Sequence, residues 1–138
     1  MIVLDTNVVS EVMRPKPSSK VLEWMRAEPL ASLFTTAITE GELLYGIALL
    51  PHGRRRQSLE ATVTIILAED FSGRILPFDS PAAREFADIA VGRRRSGRPM
   101  SEADARIAAI ARSRGAAVAT RNGQDFADCD LVVIDPWR

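Results

Sequence analysis

The chain has 138 residues, 46% of them hydrophobic, so it can bury one substantial core and matches the usual size of a single domain, residues 1–138. Its apolar stretches are far shorter than the ~20 residues of a membrane helix, and no signal segment opens it, so we expect a soluble, cytoplasmic protein. One cysteine and one histidine exclude a disulfide framework and a zinc site built from those residues. Any metal ion must therefore be bound by oxygen ligands.

Positive charge is clustered although the total charge is balanced. Lys+Arg and Asp+Glu both number 18, so the chain lacks the strong positive field of a dedicated nucleic-acid-binding protein. Arginines nevertheless bunch in two segments, which we interpret first as exposed helix ends and alternatively as contacts to a nucleic-acid backbone. The candidates for such contacts are Arg54, Arg55, Arg56, Arg93 and Arg94.

The first half of the chain alternates short apolar runs with amphipathic segments. Residues 2–4 are fully apolar and end at Asp5, as expected of a buried parallel strand that leads into a helix. A second helix is predicted from Ser18 or Ser19 to near Pro29. The segments that follow are predicted as a strand at 33–36 and helices at 39–50 and 54–70.

The second half continues the alternation of strands and helices. A helix opens at Ser80-Pro81, with Ser80 as its cap and proline in its first turn, and ends within 93–97. Another begins at Ser101 and is closed by Gly115, because glycine is favoured just after a helix. This succession predicts an α/β sandwich around a mostly parallel sheet. Strands are predicted at 73–78, 116–119 and 131–134, with a loop or single helical turn at 120–126.

Acidic residues occur where such a fold gathers its ligands, at the C-terminal edge of the parallel strands. Asp5 follows the first strand, Glu42 comes shortly after the second, and Asp104 lies in the first turn of its helix. Asp125 belongs to the segment after the fourth strand. Converging carboxylates bind Mg²⁺ or Mn²⁺, which orients a phosphate and activates a water molecule. Phosphodiester hydrolysis by a metal-dependent enzyme requires such convergence, and the positions of these acids are compatible with it.

Each acid also has a structural interpretation. Thr39-x-x-Glu42 and Ser101-x-x-Asp104 both fit the capping box, in which a hydroxyl and a carboxylate satisfy free amides at a helix start. Asp5 is likewise placed to cap the first helix. Taken singly, such acids are more often structural than catalytic, so spacing alone leaves both interpretations open.

Four motifs carry these acids in a fixed order. They are Ile2-Val3-Leu4-Asp5-Thr6-Asn7, Thr39-x-x-Glu42-Leu43-x-Tyr45-Gly46, Met100-Ser101-x-Ala103-Asp104-x-x-Ile107-Ala108-Ala109 and Ala119-Thr120-Arg121-Asn122-x-x-Asp125-Phe126. Together they closely resemble the PIN-domain nucleases and, more narrowly, the VapC and FitB toxins of bacterial toxin-antitoxin pairs. The resemblance spans nearly the whole chain and implies a PIN-like three-layer α/β/α sandwich.

The resemblance implies roles for individual residues. Asp5, Glu42 and Asp104 match the core acidic positions. Asp5 and Asp104 are the expected direct ligands of Mg²⁺ or Mn²⁺, and Glu42 is a ligand or a base that orients water. Thr6 matches the hydroxyl beside the first acid. Glu40 and Glu102 fall outside the pattern, and helix geometry agrees, since residues two apart do not share a face.

The sequence does not decide which residue takes the fourth acidic position of the site, its fourth corner. Asn122, two residues after the supporting Thr120, stands where PIN domains often have aspartate, and Asp125 lies three residues further on. Asn122 can offer an amide oxygen but no charge. Either residue completes the site, and a weaker second metal position is expected.

The resemblance also implies a biological setting. The chain is expected to be an endoribonuclease toxin of a type II pair and to form a homodimer. A cognate antitoxin is expected to cover the active site and to carry the complex to operator DNA. The alternative is a catalytically silent interaction module or co-repressor subunit. Two other phosphate-handling classes fit poorly: Asn7 cannot serve as the second acid of an aspartyl phosphatase, and both lysines lie too early for a phospho-receiver domain.

Overall fold

Five short strands form one parallel sheet in the computed structural model, which describes residues 1–138. Their order across the sheet is β3-β2-β1-β4-β5, with β1 at the centre. β2 and β3 are thus added on one side of β1, and β4 and β5 on the other. Doubly wound sheets bind ligands at such a reversal, beside the C-terminal ends of the strands. The strands are β1 (Ile2–Leu4), β2 (Leu33–Thr36), β3 (Ile75–Leu76), β4 (Ala117–Ala119) and β5 (Val133–Ile134).

Six helices cover the two faces of the sheet. No helix has both the length and the apolar character needed to cross a membrane. One π turn, Ile66–Asp70, continues the fourth helix, and 3-10 turns occupy Leu30–Ser32 and Gly123–Phe126. The helices are α1 (Thr6–Val12), α2 (Ser19–Ala27), α3 (Ala37–Ala48), α4 (Arg54–Ile65), α5 (Ser80–Arg95) and α6 (Glu102–Ser113).

The central strand contributes to two separate hydrophobic cores. Val3 packs in the core that contains residues of α5 and α6, whereas Leu4 packs in the core formed with α1 to α4. Successive strand side chains point to opposite faces, so burial on both sides explains why the first strand is apolar at every position. The three-layer α/β/α prediction is confirmed.

The start of α3 differs from the prediction. The helix begins at Ala37, and the hydroxyl of Thr36 accepts a hydrogen bond from the Thr39 backbone N–H at 3.1 Å. Thr39 is therefore a fully buried residue inside the first turn. The predicted Thr39–Glu42 capping box is wrong, because the last residue of β2 already caps the helix. Glu42 is free of that structural role.

The predicted Ser80 cap of α5 is also wrong, because Asp79 caps that helix by accepting from the Ala82 N–H at 3.1 Å. The remaining helix ends follow the sequence more closely. The Ser101 hydroxyl accepts from the Asp104 N–H at 3.1 Å, and Asp5 Oδ1 accepts from the Thr6 N–H at 2.8 Å. Gly115 follows α6 with a φ of 65°, in the left-handed region that glycine adopts without strain. The two edge strands are shorter than predicted, because pairing holds only Ile75–Leu76 and Val133–Ile134 in the ladder.

Candidate active site

A polar cavity of about 660 Å³ lies where β1 and β4 end. None of its ten lining residues is hydrophobic. The four acids proposed from the sequence as catalytic all line it, although they come from four separate segments of the chain. Glu40 and Glu102 do not line it. The acids and amides of the wall are Asp5, Asn7, Glu11, Glu42, Asp104, Asn122 and Asp125.

Asp5 is the most deeply buried acid of this cavity, with 5% of its surface exposed. Its Oδ2 accepts from the Thr120 hydroxyl at 2.8 Å and from Asn7 Nδ2 at 3.1 Å. Burial raises the pKa of Asp5 from 3.8 to about 6; the hydrogen bonds from Thr120 and Thr6 oppose this rise, and the charges of Asp104 and Glu42 add to it. Asp5 is therefore an acid that a nearby cation would stabilise in its charged form.

Thr120 and Asn7 hold the Asp5 carboxylate in place. The Thr120 hydroxyl donates to Asp5 and accepts from the Asn122 N–H at 3.1 Å and from Asn7 Nδ2 at 3.2 Å. Asn7 Oδ1 in turn accepts from the Arg121 N–H at 3.2 Å. Asn7 was not predicted as a supporting residue; its place in the first motif, two residues after Asp5, was the available signal.

Asp104 lies in the first turn of α6 and is half-buried. Burial raises its pKa, and the charges of Asp125 and Glu42 raise it further, while the Ser101 hydrogen bond and the Arg93 charge lower it. Asp5 and Asp104 are thus each disfavoured as anions by burial and by neighbouring carboxylates. A divalent cation between such groups would relieve both effects.

Glu42 is exposed but held at one oxygen. Thr6 Oγ1 donates to Glu42 Oε1 at 2.7 Å and lies 3.0 Å from Thr39 Oγ1. Because Thr6 has one hydroxyl proton, Thr39 must donate to Thr6. The chain of hydroxyls therefore links α1 to α3 and orients the carboxylate of Glu42.

Glu11 is an acid of this cavity that sequence reasoning missed. It is 6% exposed, and its Oε2 accepts from the Ser18 N–H at 3.0 Å. Its Oε1 lies 3.5 Å from Arg14 Nη1. Both carboxylate oxygens thus contact the segment that follows α1, which gives Glu11 a structural role. Its position four residues after Asn7, on the same helix face, was the sequence signal for it.

The donor set fits a hard divalent cation completed by water. No three His, Cys, Asp or Glu side chains lie close enough together to enclose an ion by themselves. Mg²⁺ does not need such a cage, because it usually keeps several waters and binds through one or two carboxylates together with substrate phosphate. Asp5 and Asp104, with oxygen donors and raised pKa values, match that mode of binding.

The structure removes Arg93 from the arginines suggested to contact nucleic acid. It is 6% exposed, and its guanidinium donates to the carbonyls of Arg98, Asp125 and Ala127 at 2.7, 3.1 and 2.9 Å. Arg93 was expected at an exposed helix end, but it is buried; its Nη1 donates to the 123–127 segment and its Nε to the Arg98 carbonyl. It therefore positions the loop that carries Asp125.

The four other arginines are accessible to different degrees. Arg56 is bound to Glu60 at 2.8 Å and to the Leu50 carbonyl. Arg54 and Arg94 are exposed and do not line the acidic cavity. Arg55 is exposed and lines a second cavity, between α1, α3 and α4, that adjoins the acidic one.

The fold and the acidic cavity define a class of protein, and sequence comparison agrees with it. Residues 2–131 match the PIN domain, and the chain belongs to that family. It is 40% identical to the VapC ribonuclease Y4jK of Sinorhizobium fredii and 39% identical to the toxin FitB of Neisseria gonorrhoeae. Both alignments cover 100% of this chain and 99% of the relative.

Comparison with solved structures places the fold in the same group. The structure of FitAB bound to an IR36 DNA fragment superposes with a TM-score of 0.92 at 38% identity, covering 100% of this chain and 96% of the matched chain. The PIN-domain toxin resemblance drawn from the four motifs is confirmed.

Proposed function

We propose that this chain is a metal-dependent endoribonuclease that hydrolyses RNA phosphodiester bonds as the toxin of a type II toxin-antitoxin pair. One observation carries the proposal: Asp5, Glu42 and Asp104 converge in a cavity without hydrophobic residues at the reversal point of the sheet. The names of its relatives, a VapC ribonuclease and a toxin, support the same class.

Asp5 and Asp104 are the proposed ligands of Mg²⁺, with Mn²⁺ as an equivalent, and Glu42 completes the core of the site. When bound, the ion supplies orientation of the phosphate and a lowered pKa for a water molecule. Asn122 and Asp125 line the same cavity and form its fourth corner. Asp125 contributes charge there, whereas Asn122 contributes only an amide oxygen.

The chain's own residues prepare this site for hydrolysis. Thr120 holds Asp5 as an oriented anion through its 2.8 Å hydrogen bond. Thr6 fixes one oxygen of Glu42, and the structure gives the other oxygen no protein partner. Glu42 is therefore the residue suited to accept a proton from the attacking water.

The biological setting is part of the proposal. We propose that the chain acts in the cytoplasm, because its proposed substrate is RNA. Its relative FitB is named as a toxin, and the structure of FitAB was solved on DNA. By analogy we propose a cognate antitoxin that inhibits this chain, a homodimer that assembles with it, and operator DNA bound through the antitoxin.

The proposed activity is tested by exchanging single acids. Asp5→Asn and Asp104→Asn are expected to lower Mg²⁺-dependent cleavage of single-stranded RNA by about 100-fold or more, the effect of losing a group that acts on developing charge. The matched controls are Glu40→Gln and Glu102→Gln, neighbours that lie outside the cavity. We expect both controls to cleave like the native chain.

The same variants separate the enzyme from the interaction module. If Asp5→Asn cleaves RNA and arrests growth as the native chain does, the nuclease proposal is wrong. If the native chain cleaves no RNA but still represses its operator with its antitoxin, the co-repressor alternative holds instead.

A further inference from the structure

A second cavity, of about 920 Å³, adjoins the acidic one. It lies between α1, α3 and α4 and is lined by fourteen residues. Four of these residues also line the acidic cavity, so the two spaces share a rim. The shared residues are Thr6, Ser10, Arg14 and Glu42.

The lining of this groove is chemically mixed. Five residues are hydrophobic, among them Leu43 and Leu59, and Ser10 and Ser58 add hydroxyls. Two arginines line it: the Arg14 side chain is 66% exposed, and Arg55 is exposed with no acidic partner. Apolar surface, hydroxyls and guanidinium groups match the base, ribose and phosphate of a nucleotide. The volume lies within the range of small-ligand sites, about 300–1,000 Å³.

Gly46 leaves one wall of this groove open. It is an interior residue of α3 and lines the cavity. A Cβ built at Gly46 meets no atom within 4 Å, so packing does not require glycine here. Glycine destabilises a helix interior relative to alanine. A side chain introduced at position 46 would therefore enter the open space of the groove.

We propose that this groove binds the nucleotide of single-stranded RNA that adjoins the cleaved phosphate, with Arg14 and Arg55 contacting the flanking backbone. The inference rests on the proposed ribonuclease function and extends it to the substrate path. Charge favours RNA as the occupant, because the only acid in the lining is Glu42, which belongs to the catalytic cavity. An RNA chain that reaches the carboxylates across the shared rim enters this groove directly.

The test blocks the groove with a large side chain. Gly46→Trp places an indole in the groove. Gly92→Trp is the matched control, because Gly92 is an interior helical glycine of α5 and lines neither cavity. A Cβ built at Gly92 likewise meets no atom within 4 Å. Binding of a labelled single-stranded RNA is measured by fluorescence anisotropy with both variants in the Asp5→Asn background. Hydrolysis of bis(p-nitrophenyl) phosphate, which is too small to need the groove, is measured with native Asp5.

The expected result is selective loss of RNA binding. Gly46→Trp should weaken RNA binding about tenfold or more, since the apolar contacts of one base and the arginine contacts to its phosphate are lost. Gly92→Trp should bind RNA normally, and both variants should hydrolyse the small diester alike. Arg55→Gln should weaken RNA binding and reduce its salt dependence. Equal RNA affinity of the two tryptophan variants overturns the proposal, as does parallel loss of small-diester hydrolysis, which would place the effect in the acidic cavity.

Two further outcomes distinguish RNA binding in this groove from the ribonuclease proposal and from antitoxin binding. If RNA binds in a Gly46-dependent way but the native chain does not cleave it, the groove proposal stands and the nuclease proposal fails. If Gly46→Trp binds RNA normally but escapes inhibition by its antitoxin, the groove binds protein and the RNA assignment is wrong.

Discussion

The hydroxyl of Thr120 donates its only proton to Asp5 Oδ2 across 2.8 Å. The two residues lie at the ends of neighbouring strands, β4 and β1, and are 0% and 5% exposed. A hydrogen bond to a buried carboxylate favours its charged form, so this bond opposes the desolvation that raises the pKa of Asp5. Thr120 thereby favours the charged form that Asp5 needs in its proposed role as a metal ligand.

Replacing Thr120 by valine should raise the pKa of Asp5 further. A hydrogen bond to a charged group contributes about 1.5–3 kcal/mol, which corresponds to about one to two pKa units. We expect the rise of the RNA cleavage rate with pH to move upward by about one unit and Mg²⁺ affinity to fall. The pH–rate profile and Mg²⁺ titration calorimetry measure these changes. Thr120→Ser keeps the hydroxyl and should behave as native; an unshifted profile in Thr120→Val would contradict the assignment.

The stability of the metal-free protein should fall as pH rises through the titration of Asp5. Its pKa is raised from 3.8 to about 6, so the folded state binds the proton more tightly than the unfolded state between these values. Urea unfolding in EDTA should therefore give a free energy about 1 kcal/mol lower at about pH 7.5 than at about pH 5. Asp104, whose pKa is also raised, acts in the same direction. Asp5→Asn should lose most of this difference; retention of it would show that other groups are responsible.

Arg93→Met should destabilise the fold and disorder the loop that carries Asp125. It leaves three carbonyls without their donor in a buried region, at a cost of about 2–4 kcal/mol. Thermal or urea unfolding measures the loss. Arg94→Met changes the exposed neighbour and should stay within about 0.5 kcal/mol of native. Similar stabilities of the two variants would refute the positioning role.

Asn122→Asp should strengthen metal binding. Asn122 lines the acidic cavity, and its backbone N–H already donates to Thr120. A carboxylate there adds negative charge at the fourth corner, which we expect to lower the Mg²⁺ concentration for half-maximal cleavage about three- to tenfold. Asp130→Asn, outside the cavity, serves as control. An unchanged or higher Mg²⁺ requirement would show that position 122 does not face the ion.

Much of the fold was accessible from sequence because its signals are local. The apolar run before Asp5 indicates a strand that is buried on both faces, and Gly115 indicates the left-handed backbone that ends α6. The boundary at Thr36 was missed because the choice between two nearby hydroxyls depends on where β2 stops pairing. Such pairing involves a strand about forty residues away, at Ile75–Leu76.

The site was accessible only in part. Asp5, Glu42 and Asp104 were proposed because four motifs in a fixed order resemble those of PIN domains, and the structure brings the three acids to one cavity. The burial of Arg93 was not predictable, since two of its three carbonyl partners lie about thirty residues further along the chain. The groove beside the acids also depends on how α1, α3 and α4 pack together, and no periodicity reports that.

The central claim is that Asp5 and Asp104 share one divalent ion. Anomalous diffraction from crystals of the native chain soaked in Mn²⁺ tests it most directly, because the ion is located without reference to activity. We predict a peak about 2.0–2.2 Å from carboxylate oxygens of both Asp5 and Asp104, as for octahedral oxygen coordination. The absence of a peak from the acidic cavity, or a peak that contacts neither residue, would contradict the claim.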